Sequence, residues 1–132
     1  MKVTVDTNIL LRAVLHDDPV QARTAEDLLI NASLVAFPIP CLCELVWVLD
    51  RSYGISRPEI ALVLETFLGA PNVATNRPAV DAGLSMLKAG GDFADGVIAY
   101  EGRWLGGETY VSFDKKAVLL ANSQGHKAKL LH

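Results

Sequence analysis

The chain has 132 residues, 51% of them hydrophobic, and a formal net charge of −3 at pH 7. This length fits one hydrophobic core, so we predict a single domain over residues 1–132. The acidic balance argues against a chain that binds nucleic acid over its whole surface, because such surfaces are normally basic. The charge is segregated, however: residues 1–113 have 8 basic and 14 acidic side chains, whereas residues 114–132 have 4 and 1.

No segment is typical of a membrane span or an export signal. The longest uncharged stretch, residues 28–43, has 16 residues and includes two prolines, whereas a spanning helix needs about 20 apolar residues. Asp6 and Arg12 interrupt the apolar run at the start of the chain. We therefore expect no membrane partner and a cytoplasmic location. The high apolar content indicates surface left over for a second chain.

Short β-type runs alternate with helical patterns along the whole chain. The sequence predicts five strands, at residues 2–5, 34–37, 72–75, 109–112 and 128–131. It predicts seven helices, at residues 8–15, 19–32, 40–54, 56–69, 77–91, 93–106 and 115–125. Strands separated by helices indicate an α/β fold with a mainly parallel sheet flanked by helices.

Glu44 lies in the most apolar predicted helix. Every other residue from Cys41 to Leu49 is apolar, so we expect this helix to be buried nearly all round. An ionised carboxylate buried there is strongly destabilising unless it is paired or bound to a cation. No basic residue at helical spacing pairs with Glu44. The sequence therefore favours a distant base or a cation beside it.

The helix predicted at 56–69 has apolar residues around most of its circumference. Ser56 and Glu59 have the spacing of an N-terminal capping box. The apolar pattern predicts either deep burial or an interface with a second copy or a partner, and we favour the interface. Trp47 and Trp104 are expected to be core or interface anchors.

The cysteines and histidines lack the spacing of a metal site. Cys41 and Cys43 are too close for an ordinary disulfide and have no second pair of ligands, so we expect buried free thiols. His16, His126 and His132 share no ligand spacing, and we expect all three at the surface.

Aspartates stand where predicted strands give way to helices. Asp6 follows the first strand and Asp114 the fourth, so both are expected at the carboxyl edge of a parallel sheet, where ligands bind. Asp92 and Asp95 open the helix predicted at 93–106. Taken singly, each aspartate is better explained as a helix cap or first-turn acid. Glu44 in mid-helix has no such explanation.

If these acids converge on one site, that site explains the positions of all of them. Several carboxylates close together raise each other's pKa values unless a divalent cation neutralises them. Ligands that are all oxygen select a hard ion, Mg²⁺ or Mn²⁺, rather than zinc. The reaction inferred from such a site is metal-assisted phosphodiester hydrolysis.

Four segments carry a likeness to a known family: "VTVDTNILL" at the start, Glu44, "DFADGVIAYE" and "VSFDKKA". Together they resemble the PIN-domain nucleases, and the short form is similar to the VapC-type toxins of bacterial toxin–antitoxin pairs. The likeness covers essentially the whole chain. It implies a PIN-like three-layer sandwich with a mainly parallel central sheet of about five strands flanked by helices.

The resemblance also implies a set of site residues. The family's catalytic acids fall on Asp6, Glu44, Asp95 and Asp114, with Asp92 as an extra acid. Asp6, Asp95 and Asp114 would coordinate Mg²⁺ or Mn²⁺, and Glu44 and Asp92 would bind it directly or through water. Asn8 and Ser112 match residues that hold the carboxylates or a metal-bound water.

The partners implied by the resemblance are an RNA substrate, a cognate antitoxin protein and a second copy of the chain in a homodimer. Arg12, Lys115 and Lys116 are candidate RNA-phosphate contacts; a solvated surface charge explains each of them equally well. Two other functions stay open at this point. One is a non-catalytic PIN-type module that binds RNA or protein, and the other is a phosphoacceptor receiver domain, which leaves Glu44 unexplained.

Overall fold

The protein is described from a computed structural model that covers residues 1–132. It contains seven helices and five short strands, and every strand pair is parallel. The predicted α/β class is confirmed. The chain divides into two compact units, residues 1–76 and residues 77–132, named below the N-terminal and C-terminal units. None of the helices has the length and apolar character needed to cross a membrane.

The N-terminal unit contains one sheet and four helices. Its strands are β1 (Lys2–Thr4), β2 (Leu34–Ala36) and β3 (Val73–Ala74). Its helices are α1 (Thr7–Leu15), α2 (Pro19–Asn31), α3 (Ile39–Arg51) and α4 (Arg57–Leu68). The strand order is β1-β2-β3, with Val35 of the central strand opposite both Val3 and Val73. Val35 is fully buried, as expected for the middle of a parallel sheet.

Helix α3 is buried on one face only, so the expectation of burial all round is wrong. Leu42, Leu45 and Leu49 are at most 1% exposed, whereas Glu44 is exposed and Trp47 is 57% exposed. Glu44 and Trp47 are three residues apart and therefore share a helix face. The apolar composition from Cys41 to Leu49 concealed this face, because Trp47 on it is also apolar.

Helix α4 likewise has a buried and an open face, so the deep-burial alternative is wrong. Ser56 caps it and accepts a hydrogen bond from the Glu59 N–H at 3.4 Å. Ile60 and Leu64 are fully buried, whereas Leu62 is 64% exposed. The prediction that Trp47 and Trp104 are core residues is also wrong, since these residues are 57% and 77% exposed. An interface role for these residues stays a prediction.

The C-terminal unit contains a two-stranded sheet and three helices. Its helices are α5 (Arg77–Lys88), α6 (Phe93–Trp104) and α7 (Lys115–Ser123). Its strands are β4 (Tyr110–Ser112) and β5 (Ala128–Leu130), with Tyr110 opposite Ala128. The five predicted strands are thus all present, and they pair as sheets of three and two.

Helices α5 and α6 pack unusually closely, and glycines make this possible. A Cβ atom on Gly96 of α6 would lie 2.5 Å from the Ala82 carbonyl oxygen of α5, and one on Gly83 would lie 2.6 Å from the Phe93 ring. Phe93 is itself fully buried. This close packing fixes the first turn of α6, which carries Asp95.

Candidate active site

Asp6 and Asp114 occupy equivalent positions in the two units. Each follows a parallel strand and is the N-cap of the next helix. The Asp6 Oδ1 atom accepts a hydrogen bond from the Ile9 N–H at 3.2 Å. The Asp114 Oδ1 atom accepts from the N–H groups of Lys116 and Ala117 at 2.9 and 3.1 Å. The capping interpretation is therefore confirmed for both, and in each the capping bonds use one carboxylate oxygen.

The start of α6 presents a second pair of acids. Asp92 is the N-cap, and its Oδ1 atom accepts from the Ala94 N–H at 3.2 Å. Asp95 lies in the first turn and is half-buried. A negative charge is stabilised in this position by the backbone N–H groups of the helix start. The two acids therefore differ: Asp92 caps the helix, and Asp95 is set deeper.

Asp95 is the most perturbed carboxyl group of the candidate site. Burial raises its pKa, and the charge of Asp92 raises it further; a hydrogen bond from Tyr110 opposes this rise, and the charge of Asp114 adds to it. The Tyr110 hydroxyl donates to Asp95 Oδ1 over a long 3.4 Å. Three acids predicted from the sequence, Asp92, Asp95 and Asp114, thus act on one another within the C-terminal unit.

Ser112 and Tyr110 support this cluster from β4. The Ser112 Oγ atom accepts a hydrogen bond from the Asp114 N–H at 3.0 Å, which holds the backbone where Asp114 begins α7. Burial, and next the charge of Asp95, raise the pKa of Tyr110, so its hydroxyl stays protonated and can donate. Ser112 was identified from the sequence, but Tyr110 was missed. The only sequence signal for Tyr110 was its place in the short strand that ends at Ser112.

The N-terminal unit brings Asp6 and Glu44 near one thiol. The buried Thr7 hydroxyl donates to the Cys41 Sγ atom at 3.8 Å, which joins the start of α1 to α3. Burial raises the pKa of Cys41, its hydrogen bond with Thr7 lowers it, and the charges of Asp6 and Glu44 raise it. Both carboxylates therefore lie close enough to Cys41 to act on it. Cys41 is buried as expected, whereas Cys43 is half-buried, and neither forms a disulfide.

Glu44 is not buried, contrary to the expectation that made it a candidate. Glu44 is exposed on α3, so its charge is solvated and needs no partner to offset burial. Its place in the candidate site now depends on the PIN resemblance and on its proximity to Cys41. The residue stays a prediction, with a different physical basis.

The remaining sequence candidates lie at the surface or are already paired. Arg12 forms a 2.7 Å salt bridge with Asp17, so a phosphate contact would compete with that pair. Asn8, Lys115 and Lys116 are exposed. Their proposed roles toward the acids or RNA stay predictions.

The donor set fits a hard divalent cation, although no group of three or more His, Cys, Asp and Glu side chains is arranged to hold a metal ion. All the candidate ligands are carboxylates, the type that Mg²⁺ and Mn²⁺ prefer. Asp92 and Asp114 cap their helices through Oδ1, and a second oxygen remains on each. The repulsion that raises the Asp95 pKa is the kind that a cation relieves.

Parallel strands that lead into aspartate-capped helices define an acid-lined α/β protein whose candidate ligands are all carboxylates. A PIN domain family model matches residues 3–118, and the chain belongs to this family. PIN domains are generally nucleases and typically use divalent metal ions. No curated protein matches the chain. Membership of the family is incompatible with the receiver-domain alternative.

Proposed function

We propose that this protein is a Mg²⁺- or Mn²⁺-dependent endoribonuclease and the toxin of a toxin–antitoxin pair. The observation that carries the proposal is the Asp95 carboxyl, whose pKa is raised beside Asp92 and Asp114 in a chain that belongs to the PIN family. A half-buried carboxylate whose ionisation is disfavoured by burial and by two neighbouring charges is poorly placed for stability alone. A bound cation would favour its ionised form.

Each acid has a separate part in this proposal. Asp92, Asp95 and Asp114 would supply carboxylates to the cation in the C-terminal unit, and the PIN resemblance adds Asp6 and Glu44 to the acid set. Bound water would complete the coordination, since no three of these side chains are arranged to hold a metal ion by themselves. When bound, the cation would supply a water of lowered pKa and would stabilise negative charge on the phosphodiester. Tyr110 holds the Asp95 carboxylate in one orientation through its hydroxyl, and Ser112 fixes the backbone of Asp114.

RNA as substrate, the toxin role and homodimerisation are inferred from the resemblance to short PIN toxins. Exposed apolar side chains are consistent with protein partners, among them Trp47, Leu62 and Trp104, which are 57%, 64% and 77% exposed. Contiguous patches of such side chains are typical of places where a protein partner binds, whereas single ones are normal at a protein surface. Co-purification with the product of an adjacent reading frame would test the antitoxin assignment.

RNA cleavage with matched variants tests the nuclease proposal. Purified protein with Mn²⁺ should cleave a mixed RNA substrate, and Asp95→Asn should lower the rate more than about 100-fold, because losing a ligand should cost at least as much as losing one of its supporting residues. Asp81→Asn is the matched control, since Asp81 is an exposed acid of α5, and it should cleave like the wild type.

Glu44→Gln measures what Glu44 contributes now that its burial is excluded. We expect a loss of cleavage activity without a loss of folding stability, because the side chain is exposed.

Equal cleavage by Asp95→Asn and the wild type would point to a contaminating nuclease and would support the non-catalytic alternative. Activity that persists after chelation of divalent ions would contradict the metal dependence.

A further inference from the structure

A cavity of about 180 Å³ lies in the C-terminal unit, between the end of α6 and the start of β4. Glycines shape its entrance. Gly106 has φ +102°, a backbone conformation that L side chains rarely adopt, and the Gly107 N–H donates to the Gly102 carbonyl oxygen at 2.8 Å. This chain reversal, a common helix stop, directs residues 107–109 along the cavity.

His126 contributes a polar group that the protein leaves unsatisfied. Its ring lines the cavity, and its Nδ1 atom is buried with no hydrogen-bond partner, contrary to the expected surface position. An unsatisfied buried polar atom is unfavourable and calls for an explanation. No protein group binds Nδ1, so no hydrogen bond at this atom fixes the tautomer of the ring.

The other walls combine both charges with apolar surface. Arg103 and Lys127 supply cationic donors, Glu108 supplies an acceptor, and Ile98 and Ala99 supply an apolar side. A site for phosphate alone would not carry a carboxylate, and a site for an apolar ligand would not carry three charged side chains. This mixture suits a flat ligand with an apolar face and a polar edge that both donates and accepts.

The cavity adjoins the candidate active site through one side chain. Tyr110 lines the cavity, and its hydroxyl donates to the Asp95 carboxylate. A ligand in the cavity therefore lies one residue away from the acid proposed to hold metal. His126 and Lys127 lie outside the part of the chain that matches the PIN family, residues 3–118.

We propose that this cavity binds one unpaired base of the RNA next to the cleaved phosphodiester, and that the base is guanine; the inference rests on the proposed nuclease function. The cavity is smaller than the roughly 300–1,000 Å³ of sites for drug-sized ligands, in keeping with a single base. Sequence-specific recognition of RNA commonly places one splayed-out base in such a pocket.

Guanine matches the donors and acceptors of the walls best. Its O6 and N7 atoms are adjacent acceptors for Arg103 or Lys127, and its N2 amino group is a donor for the Glu108 carboxylate. Uracil has no exocyclic amino group to donate to Glu108. Burial, and next the charge of Arg103, lower the pKa of His126, so the imidazole is neutral at pH 7 and keeps both a donor and an acceptor.

Nucleotide binding without metal or cleavage tests the base site directly. The NMR signals of the His126 ring should shift on titration with GMP, and less with UMP or inorganic phosphate. The shift should persist in Asp95→Asn, which removes the proposed metal ligand and leaves the cavity. Equal shifts with phosphate and GMP would reduce the site to an anion site, and no shift with any nucleotide would overturn it.

Cleavage of RNAs that differ in one base gives the second test. Wild type should prefer the guanine RNA, and Glu108→Gln should reduce that preference at least about fivefold, the low end for one good base contact. Glu101→Gln is the matched control, because Glu101 is an exposed acid of α6 outside the cavity. His126→Ala should also lose preference, whereas His132→Ala, at another exposed histidine, should keep it.

The two tests separate this inference from the nuclease proposal. GMP binding with no RNA cleavage would retain the base site and reject the nuclease. Cleavage with equal rates on all four bases, and with no change in Glu108→Gln, would retain the nuclease and reject the base site. Glu108 is exposed, so Glu108→Gln should fold even if His126→Ala does not.

Discussion

The two units place their ionisable groups differently. The N-terminal unit has a sheet and a large apolar core, including Leu10, Leu45 and Leu49, all fully buried, and burial raises the pKa of the Cys41 thiol in this unit. The smaller C-terminal unit has displaced pKa values at Asp95, Tyr110 and His126.

This difference favours the C-terminal unit as the location of the proposed site. Displaced pKa values often cluster at functional sites, and three groups of the C-terminal unit have them. Both units nevertheless use one local device, a strand followed by an aspartate that caps the next helix, at Asp6 and at Asp114. The capping aspartate is therefore a structural feature of both units. Whether it also takes part in a reaction depends on the residues around it.

The largest effect on stability should come from the close packing behind the site. Gly96→Ala places a Cβ atom 2.5 Å from the Ala82 carbonyl oxygen, so α5 and α6 must separate, at a cost of about 3 kcal/mol. Gly102→Ala in the same helix meets no atom within 4 Å and should stabilise the protein slightly. Chemical denaturation of both variants measures the contrast; equal stabilities would mean that the helices are not held this closely.

The metal response should be the next largest effect. Mn²⁺ at about 30 times its dissociation constant should stabilise the wild type by about 2 kcal/mol, since it binds the folded state. Asp95→Asn should lose most of this gain, and Asp81→Asn should keep it. Calorimetry with and without Mn²⁺ provides the measurement. If Mn²⁺ does not raise the stability of the wild type, the proposed metal site is wrong.

A comparison of two caps distinguishes structure from chemistry. Asp18 caps α2 through the Gln21 N–H at 3.1 Å, and Asp114 caps α7 in the same way. Asp18→Ala and Asp114→Ala should each lose about 1 kcal/mol of stability. Only Asp114→Ala should also lose RNA cleavage. If both variants cleave like the wild type, Asp114 is a cap and nothing more.

The smallest effect should be on the pH dependence of stability. Burial chiefly raises the Asp95 pKa above its usual 3.8, so the folded state binds this proton more tightly than the unfolded state does. The free energy of unfolding in metal-free buffer should therefore fall as pH rises from 3.8 through the folded-state pKa. The free energy of unfolding of Asp95→Asn should not fall in this way. The melting temperature of the variant should therefore rise relative to that of the wild type as pH increases. A difference that is constant with pH would contradict the raised pKa.

Much of the fold could be predicted, because its signals are local. Ser56 and Pro58 mark the start of α4, and the glycines at 90 and 91 mark the end of α5; such signals act within a few residues of themselves. The caps at Asp92 and Asp114 could be predicted for the same reason.

The features that could not be predicted from the sequence depend on contacts between distant parts of the chain. The exposed face of α3 could not be read from its composition, because Trp47 is apolar and still 57% exposed. The Tyr110–Asp95 contact joins residues 15 positions apart, and the unsatisfied Nδ1 of His126 reflects packing around the ring. No short-range pattern encodes these features, and they are the ones that the site depends on.

The capped aspartates have an electrostatic consequence. Helices α1, α6 and α7 each begin at one of these acids, and each helix start carries a partial positive charge from its macrodipole. That field weakens the hold of the carboxylates on a cation, and it attracts an anion such as a phosphate. At the proposed site a cation and an RNA phosphate should therefore each bind better in the presence of the other, so the affinity for metal should be highest when RNA is bound.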